Sequence, residues 1–479
     1  MNFNFDNSYA RSLEGFFTRG EAEKAPAPQL VKLNLGLTNE LNLDGASLNS
    51  ETGAQIFSGN LVPEGAEVLA QAYAGHQFGG FVPQLGDGRA VLLGEVIDRN
   101  GQRRDIQLKG SGRTPFSRGG DGKAALGPVL REYIIGEAMH ALGIPTTRAL
   151  AAVTTGQPVF REGMLPGAVL TRVAASHIRV GTFQFFAARR DTAKVKQLAD
   201  YTIQRHYPHL TNAANPYLAF LEAVCDKQAS LIAQWMHVGF IHGVMNTDNM
   251  AISGETIDYG PCAFMDSYSP LTVYSSIDRQ GRYAFGQQPF IARWNLARLA
   301  ESLLPLFETG QALEVVNSFT TRFDAYWLAG MRKKLGLIHS AETDDLSIAN
   351  GLLAAMEESS VDYTMAFRAL SKAALGNDIE VRSLFADANA YSVWAKNWHS
   401  RIADPAASAE AMDNANPLYI PRNHMVEAAL SAAVDTRDFA PFDSLLEVLE
   451  RPFTERPGME AYAEPAPKSH PPYRTFCGT

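Results

Sequence analysis

This chain of 479 residues has little cysteine, a modest share of charge and no long apolar run. Only Cys225, Cys262 and Cys477 occur, too few for a disulfide-built scaffold, and their odd number reads as reduced and intracellular. No apolar stretch approaches the eighteen or so residues of a membrane span. The start, Met1-Asn2-Phe3-Asn4-Phe5-Asp6, lacks the basic and apolar regions of a signal peptide, so a cytoplasmic location is expected. Lysine and arginine number 42 against 51 acidic residues, a formal charge of -9. That balance, with no basic arm and no zinc-type Cys/His spacing, argues against nucleic-acid binding. No internal repeat is visible, and oligomeric state is left open.

What is present is ample apolar material, 46% of the chain, in a length that exceeds a single usual core. The expected class is α+β. Residues 1–60 read as an N-terminal extension of strand and turn character, wrapped on the core because Phe3, Phe5, Phe16 and Phe17 suit no free tail. Residues 61–200 read as a sheet-rich lobe. Residues 201–460 are mostly helical, with apolar recurrence at three and four residues in Pro216–Val238, Trp294–Leu304, Gln311–Leu335 and Ser347–Glu357. Residues 461–479 read as a Pro-rich tail carrying Cys477.

The most informative string is His242-Gly243-Val244-Met245-Asn246-Thr247-Asp248-Asn249, followed by Asp258-Tyr259-Gly260. A protein kinase holds its metals with the Asn ending a His-x-Asp-x-x-x-x-Asn loop and with the Asp of Asp-Phe-Gly. The spacing is kept here, but Val244 stands where the kinase carries its catalytic Asp. The metal grip is retained, and the acid/base role falls to Asp248. Apolar flanks, Phe240-Ile241 and Met250-Ala251-Ile252, predict short buried strands around the loop.

Upstream, Gly86-Asp87-Gly88-Arg89 is followed by the strand-like Ile106-Gln107-Leu108 leading into Lys109, and then by an amphipathic helix over 128–142. That is the order of a kinase nucleotide lobe: glycine turn, strand lysine, helix glutamate. Glu132 and Glu137 are both candidates for the lysine partner. Between Lys109 and the helix, residues 110–123 are dense in glycine, Arg and Lys, suited to phosphate oxygens but not a Walker A loop, since Ala124 follows Gly122-Lys123. His76 and His242 fit hydrogen-bonded structural roles better than metal ligation, and Cys225 lies in an apolar helical pattern that predicts a buried, inert thiol.

The strings KGSGRTPFSRGGDGKAALGPVLREYI, AYAGHQFGGFVPQLGDGRA, RVGTFQFFA, HGVMNTDNMAISGETIDYGPCAFMD and NPLYIPRNH, spread over residues 71–424, resemble the selenoprotein O (YdiU) family of kinase-like protein adenylyltransferases. The resemblance implies a protein-kinase-like two-lobe fold with N- and C-terminal extensions. It implies ATP bound in a flipped pose, so that AMP passes to Ser, Thr or Tyr hydroxyls of other proteins and pyrophosphate leaves. Carried onto matching positions, it makes Asp248 the proton acceptor and Asn249 and Asp258 the holders of Mg2+, with Mn2+ the other candidate. Lys109 would contact phosphate and pair with Glu132. Gly86, Gly88, Arg89, Asp121 and Gly122 would line the nucleotide site, and Arg172 and Arg179 would grip the outer phosphates. It further implies a redox-sensitive bridge between Cys262 and Cys477. Two other readings stay open: a kinase transferring the terminal phosphate to a small molecule or protein, and a catalytically silent nucleotide-binding scaffold, favoured by Val244.

Overall fold

A computed structural model describes residues 3–339, 341–467, 469 and 473–475. Strands β1 (Phe17–Arg19), β2 (Gln29–Leu33), β3 (Leu69–Gln71), β6 (Ala90–Ile97), β7 (Arg103–Lys109), β9 (Arg148–Phe160) and β10 (Met164–Ala174) form an antiparallel sheet in the order β1-β3-β6-β7-β10-β9-β2, with β8 (Ala124–Ala125) paired to β10. Two small antiparallel pairs stand apart: β4 (Gly75–Gln77) with β5 (Gly80–Val82), and β11 (Phe240–Ile241) with β12 (Ala263–Phe264). From Val180 onward most of the regular structure is helical, so the molecule is mixed helix and sheet.

Strand β7 shows why the sheet sits where it does. Its side chains alternate, and successive residues of a strand face opposite sides. Ile106 and Leu108 enter an apolar cluster with Val91, Leu93 and Val153, covered by Phe3, Leu37, Ile56 and Phe57. Each such side chain contributes roughly 1.5–3 kcal/mol by leaving water. The first 60 residues thus supply β1, β2 and a lid on this face. The intervening Asp105, Gln107 and Lys109 face the other way, yet are as buried. Three polar groups in one buried row need partners, and they shape the opposite face.

That face is packed by the helix Leu126–Ala141, whose Val129, Leu130, Tyr133, Ile134 and Ala138 are all buried. The helix ends at Gly143, whose φ of 76° is the left-handed conformation that closes a helix C-terminus. The helices over Pro216–His237, Gln288–Leu303, Thr309–Lys334 and Asp345–Ser359 occupy the stretches the apolar periodicity predicts. Two expectations need correction. Residues 1–60, expected as strand and turn, also carry the short helices Ser8–Ser12, Leu35–Glu40, Gly45–Leu48 and Glu51–Phe57, which supply Leu37, Ile56 and Phe57 to the lid. Met250-Ala251-Ile252 is buried but forms no strand; Ala251 makes a single antiparallel bridge to Arg179. The segment spends its backbone groups on the residues before the Val180–Ala187 helix, with Val180 donating to Met250 O and Ile252 to Ile178 O.

Candidate active site

Between the polar face of the sheet and the 242–261 segment lies a cleft of about 430 Å3. Asp248, Asn249, Asp258, Lys109, Glu132, Arg172, Arg179, Gly86, Gly88, Arg89, Asp121 and Gly122 all line it. Eight arginine and lysine side chains face five carboxylates on its walls. In a chain of net charge -9 this is a local excess of cation, the field a polyphosphate would meet.

The strands set the centre of that charge. Arg172 on β10 lies opposite Gln107 on β7, and Lys109 ends the same strand. Lys109 Nζ donates to Glu132 Oε2 and to Asp258 Oδ1, both at 2.6 Å. Glu132 is therefore the helix partner. Glu137, one and a half turns on, instead receives Arg148 and Asn34. Arg172, 2% exposed, donates to Asp258 Oδ1 at 2.7 Å, to Glu132 Oε1 at 3.2 Å and to Gln107 Oε1 at 2.6 Å. Arg179 reaches Asp258 Oδ2 at 3.2 Å and the Asp248 carbonyl at 3.0 Å, with its guanidinium over the Tyr73 ring.

Three cations thus converge on one carboxylate. Burial alone would raise the Asp258 pKa, but Lys109, Arg172 and Arg179 outweigh it and hold the group well below the usual carboxylate range. Asp258 also sits at φ 64°, a left-handed conformation rare for a residue with a side chain and costing of order 1–3 kcal/mol. The following Tyr259 is fully buried and hydrogen-bonds Thr146, which anchors the turn.

The loop before it is braced from beneath. His242 is fully buried; its Nε2 donates to Ile257 O at 2.9 Å, and its Nδ1 accepts from Val244 N. Asn295 donates to Met245 O and Asn249 Nδ2 to Val244 O, which leaves the Asn249 amide oxygen free of those bonds. Thr247–Asn249 form one tight helical turn. Asp248 is 7% exposed, and burial pushes its pKa up to about 6. Its Oδ2 accepts from Gln77 at 3.2 Å, while its buried Oδ1 has no hydrogen-bond partner.

On the opposite wall, Gly86 has φ 71°, and a Cβ there would strike the Phe116 ring at 2.3 Å. The glycine lets the 86–89 turn lie flat under the 110–123 loop. Asp121 binds Arg161 through both carboxylate oxygens and stays near the rim. Among the described residues, no three His, Cys, Asp or Glu side chains cluster to hold a metal by themselves.

Residues 1–450 match the family model described as protein adenylyltransferase SelO. The chain belongs to the SelO family. It is accordingly a protein adenylyltransferase, with ATP as its substrate and proteins as its acceptors. The protein nucleotidyltransferase YdiU of Cereibacter sphaeroides (strain ATCC 17025 / ATH 2.4.3) is similar, 62% identical over 487 residues and covering 100% of both chains. Those of Rhizobium johnstonii and Rhizobium meliloti are 59% and 58% identical over 100% of this chain and 97% and 99% of theirs. No helix among the described residues is long and apolar enough to cross a membrane.

Two residues in and behind this SelO-family cleft escaped the sequence reading. Asp87, between the two glycines, is 2% exposed, and burial raises its pKa to about 6; it accepts from Gln71 N and Gln107 Nε2 and stands 3.9 Å from Arg179. Gln107 carries Arg172 on one side of its amide and Asp87 on the other. A glutamine inside an apolar strand pattern was the available signal. Cys225 is buried as expected, and Cys262 is buried with its thiol pushed up to about 12 by burial, whereas Cys477 lies outside the described residues.

Proposed function

We propose that this cleft binds ATP with its α-phosphorus toward Asp248 and passes AMP to Ser, Thr or Tyr hydroxyls of proteins. The observation that carries the reading is that Lys109, Arg172 and Arg179 gather on Asp258, while Val244 leaves Asp248 as the carboxylate of the 242–249 loop that faces the same cleft. Without nucleotide, the three cations rest on Asp258, which offsets only part of their charge. With it, they turn to phosphate oxygens, where fixed donors stabilise the charge that builds on the reacting phosphorus.

Asp248 takes the proton of the acceptor hydroxyl as its oxygen bonds to the α-phosphorus, and the bond to the β-phosphate oxygen breaks with pyrophosphate leaving. General-base help of this kind is worth about a hundredfold to ten-thousandfold. The Asn249 amide oxygen and the Asp258 carboxylate suit a hard cation, Mg2+ or Mn2+, which takes oxygen donors and is commonly held by one or two protein groups plus substrate phosphates. When bound, that ion neutralises charge on the phosphates. Gly86, Gly88 and Arg89, with Asp121 and Gly122 opposite, line the nucleotide pocket, and Glu132 keeps Lys109 aimed into it.

We read the arrangement as a kinase-like pair of lobes, residues 61–200 holding the nucleotide and 201–460 carrying the 242–261 motifs, with 1–60 and 461–479 as extensions. The Lys109–Glu132 pair between strand and helix supports this. A Cys262–Cys477 bridge that couples thiol state to activity belongs to the same proposal. Thr475, two residues before Cys477, donates its hydroxyl to Pro261 O at 2.9 Å, beside Cys262; an unchanged thiol count after mild oxidation would remove the idea.

The deciding experiment is incubation with ATP labelled in either the α- or the γ-phosphate. Label from the α position should appear on protein. Transfer of γ label to any acceptor would instead support a kinase, and tight ATP binding with no transfer would support a silent scaffold.

A further inference from the structure

The β4–β5 hairpin has no part in the mechanism above, yet it is fastened to the catalytic loop residue by residue. His76 N donates to Thr247 Oγ1 at 2.7 Å, Gln77 Nε2 to Asp248 Oδ2 at 3.2 Å and Phe78 N to Asn246 Oδ1 at 3.1 Å. Three consecutive hairpin residues thus meet three consecutive loop residues. The two-residue turn, Phe78-Gly79, has φ values of 51° and 87°, a pair of left-handed positions suited to Asn or Gly and strained for phenylalanine. Tyr283, whose hydroxyl also bonds Asn246, helps hold the Phe78 N-H in place. Such strain persists only where the surroundings over-determine the backbone.

The consequence falls on Asp248. Gly75 lies so close that a Cβ there would come within 2.4 Å of Asp248 Oδ1. The hairpin backbone therefore covers one carboxylate oxygen, and the Gln77 amide occupies the other. Gln77 itself lines the cleft. An amide N-H can satisfy a carboxylate, but it is no nucleophile at phosphorus and gives up no proton at neutral pH.

We propose that Gln77 is a specificity-determining residue that keeps water from acting as the acceptor, a reading that rests on Asp248 being the proton acceptor. In the resting cleft the Gln77 amide stands where the acceptor hydroxyl must donate. A protein acceptor brings binding energy from the rest of its chain and displaces the amide; a lone water brings none. Without this guard, water would give its proton to Asp248, its oxygen would bond to the α-phosphorus, and pyrophosphate would leave, so that ATP is spent as AMP and pyrophosphate.

The test uses full-length protein, α-labelled ATP, Mg2+ and a random peptide library in which each member carries one Ser, Thr or Tyr. Two products are counted: free AMP without peptide, and AMP on peptide. For Gln77→Ala the ratio of free AMP to peptide-bound AMP should rise by on the order of tenfold, about the worth of one hydrogen bond to a charged group, with ATP affinity unchanged. Gln77→Met, which keeps the length of the side chain but loses the donor, should raise the ratio as well and covers the case in which the alanine variant fails to fold. The gain should vanish in Gln77→Ala/Asp248→Ala. A ratio that stays at the wild-type value in both folded variants, or free AMP that rises equally without Asp248, overturns the guard. Full transfer by Asp248→Ala alone would instead overturn the assignment of Asp248.

Discussion

Strand β7 carries two buried charge clusters, one at each end. At its C-terminal end Lys109, Arg172 and Arg179 crowd Asp258 and Glu132 on the wall of a cleft. At the other end Asp105 accepts Arg205 Nη2 at 2.5 Å and His177 Nδ1 at 3.0 Å, while Glu95 on β6 accepts Tyr9 N at 2.6 Å, Ser8 Oγ at 2.9 Å and the other arm of Arg205. None of Glu95, Asp105, His177 and Arg205 lines the cleft. Both clusters set an aspartate and a glutamate against buried arginine. In the second cluster the sheet's carboxylates are shared among groups from the short helix Ser8–Ser12, the His177 segment and the Thr192–His206 helix, so they tie elements together. In the first, one carboxylate is over-supplied with cations beside an open volume, which leaves those cations ready for a ligand's phosphates.

The contrast breaks most sharply by deletion. Asp258→Ala should lower AMP transfer by about a thousandfold or more, the scale of losing a fixed electrostatic group at a reacting centre, with the protein still folded by circular dichroism. Arg205→Met should do the reverse. It should cost about 3–5 kcal/mol in denaturant unfolding, as expected when one partner of a buried pair is removed, while the folded fraction keeps transfer within severalfold of wild type. Comparable loss of transfer from both substitutions would erase the distinction.

A smaller effect sharpens it. Burial holds the His177 pKa near 4, with Asp105 opposing and Arg172 and Arg179 reinforcing the shift. The unfolded chain, with the group near 6.5, then binds more protons over that interval. Stability from keeping His177 neutral is fully present above pH 6.5 and is lost as pH falls toward 4, by about 3 kcal/mol in all. His177→Gln should flatten that acid limb in melts taken across the window. An unchanged pH slope would mean that the second cluster is no tighter than its surroundings.

That the 242–258 segment and the Lys109 strand meet was legible because kinase-like spacing ties them together, and the structure brings Lys109, Asp248, Asn249 and Asp258 to one cleft. Helices with a sustained apolar stripe, such as Pro216–His237, were legible from spacing as well. The helix pattern alone left Glu132 and Glu137 open; the family resemblance named Glu132, and the structure agrees, with Glu132 buried against Lys109 and the half-buried Glu137 taken by Arg148 and Asn34. Asp87 was passed over because an aspartate between glycines reads as a solvent-facing turn, whereas the Phe116 loop covers it. Gln77 was invisible as a partner of Asp248, since 171 residues separate them and neither has a local pattern that announces the contact.

The central claim concerns which phosphorus meets Asp248. A crystal structure with Mg2+ and an ATP analogue whose α–β bridge is a methylene group addresses it directly. The account predicts the α-phosphorus nearest the Asp248 carboxylate, with Lys109, Arg172 and Arg179 on phosphate oxygens; a γ-phosphate facing Asp248 would contradict it.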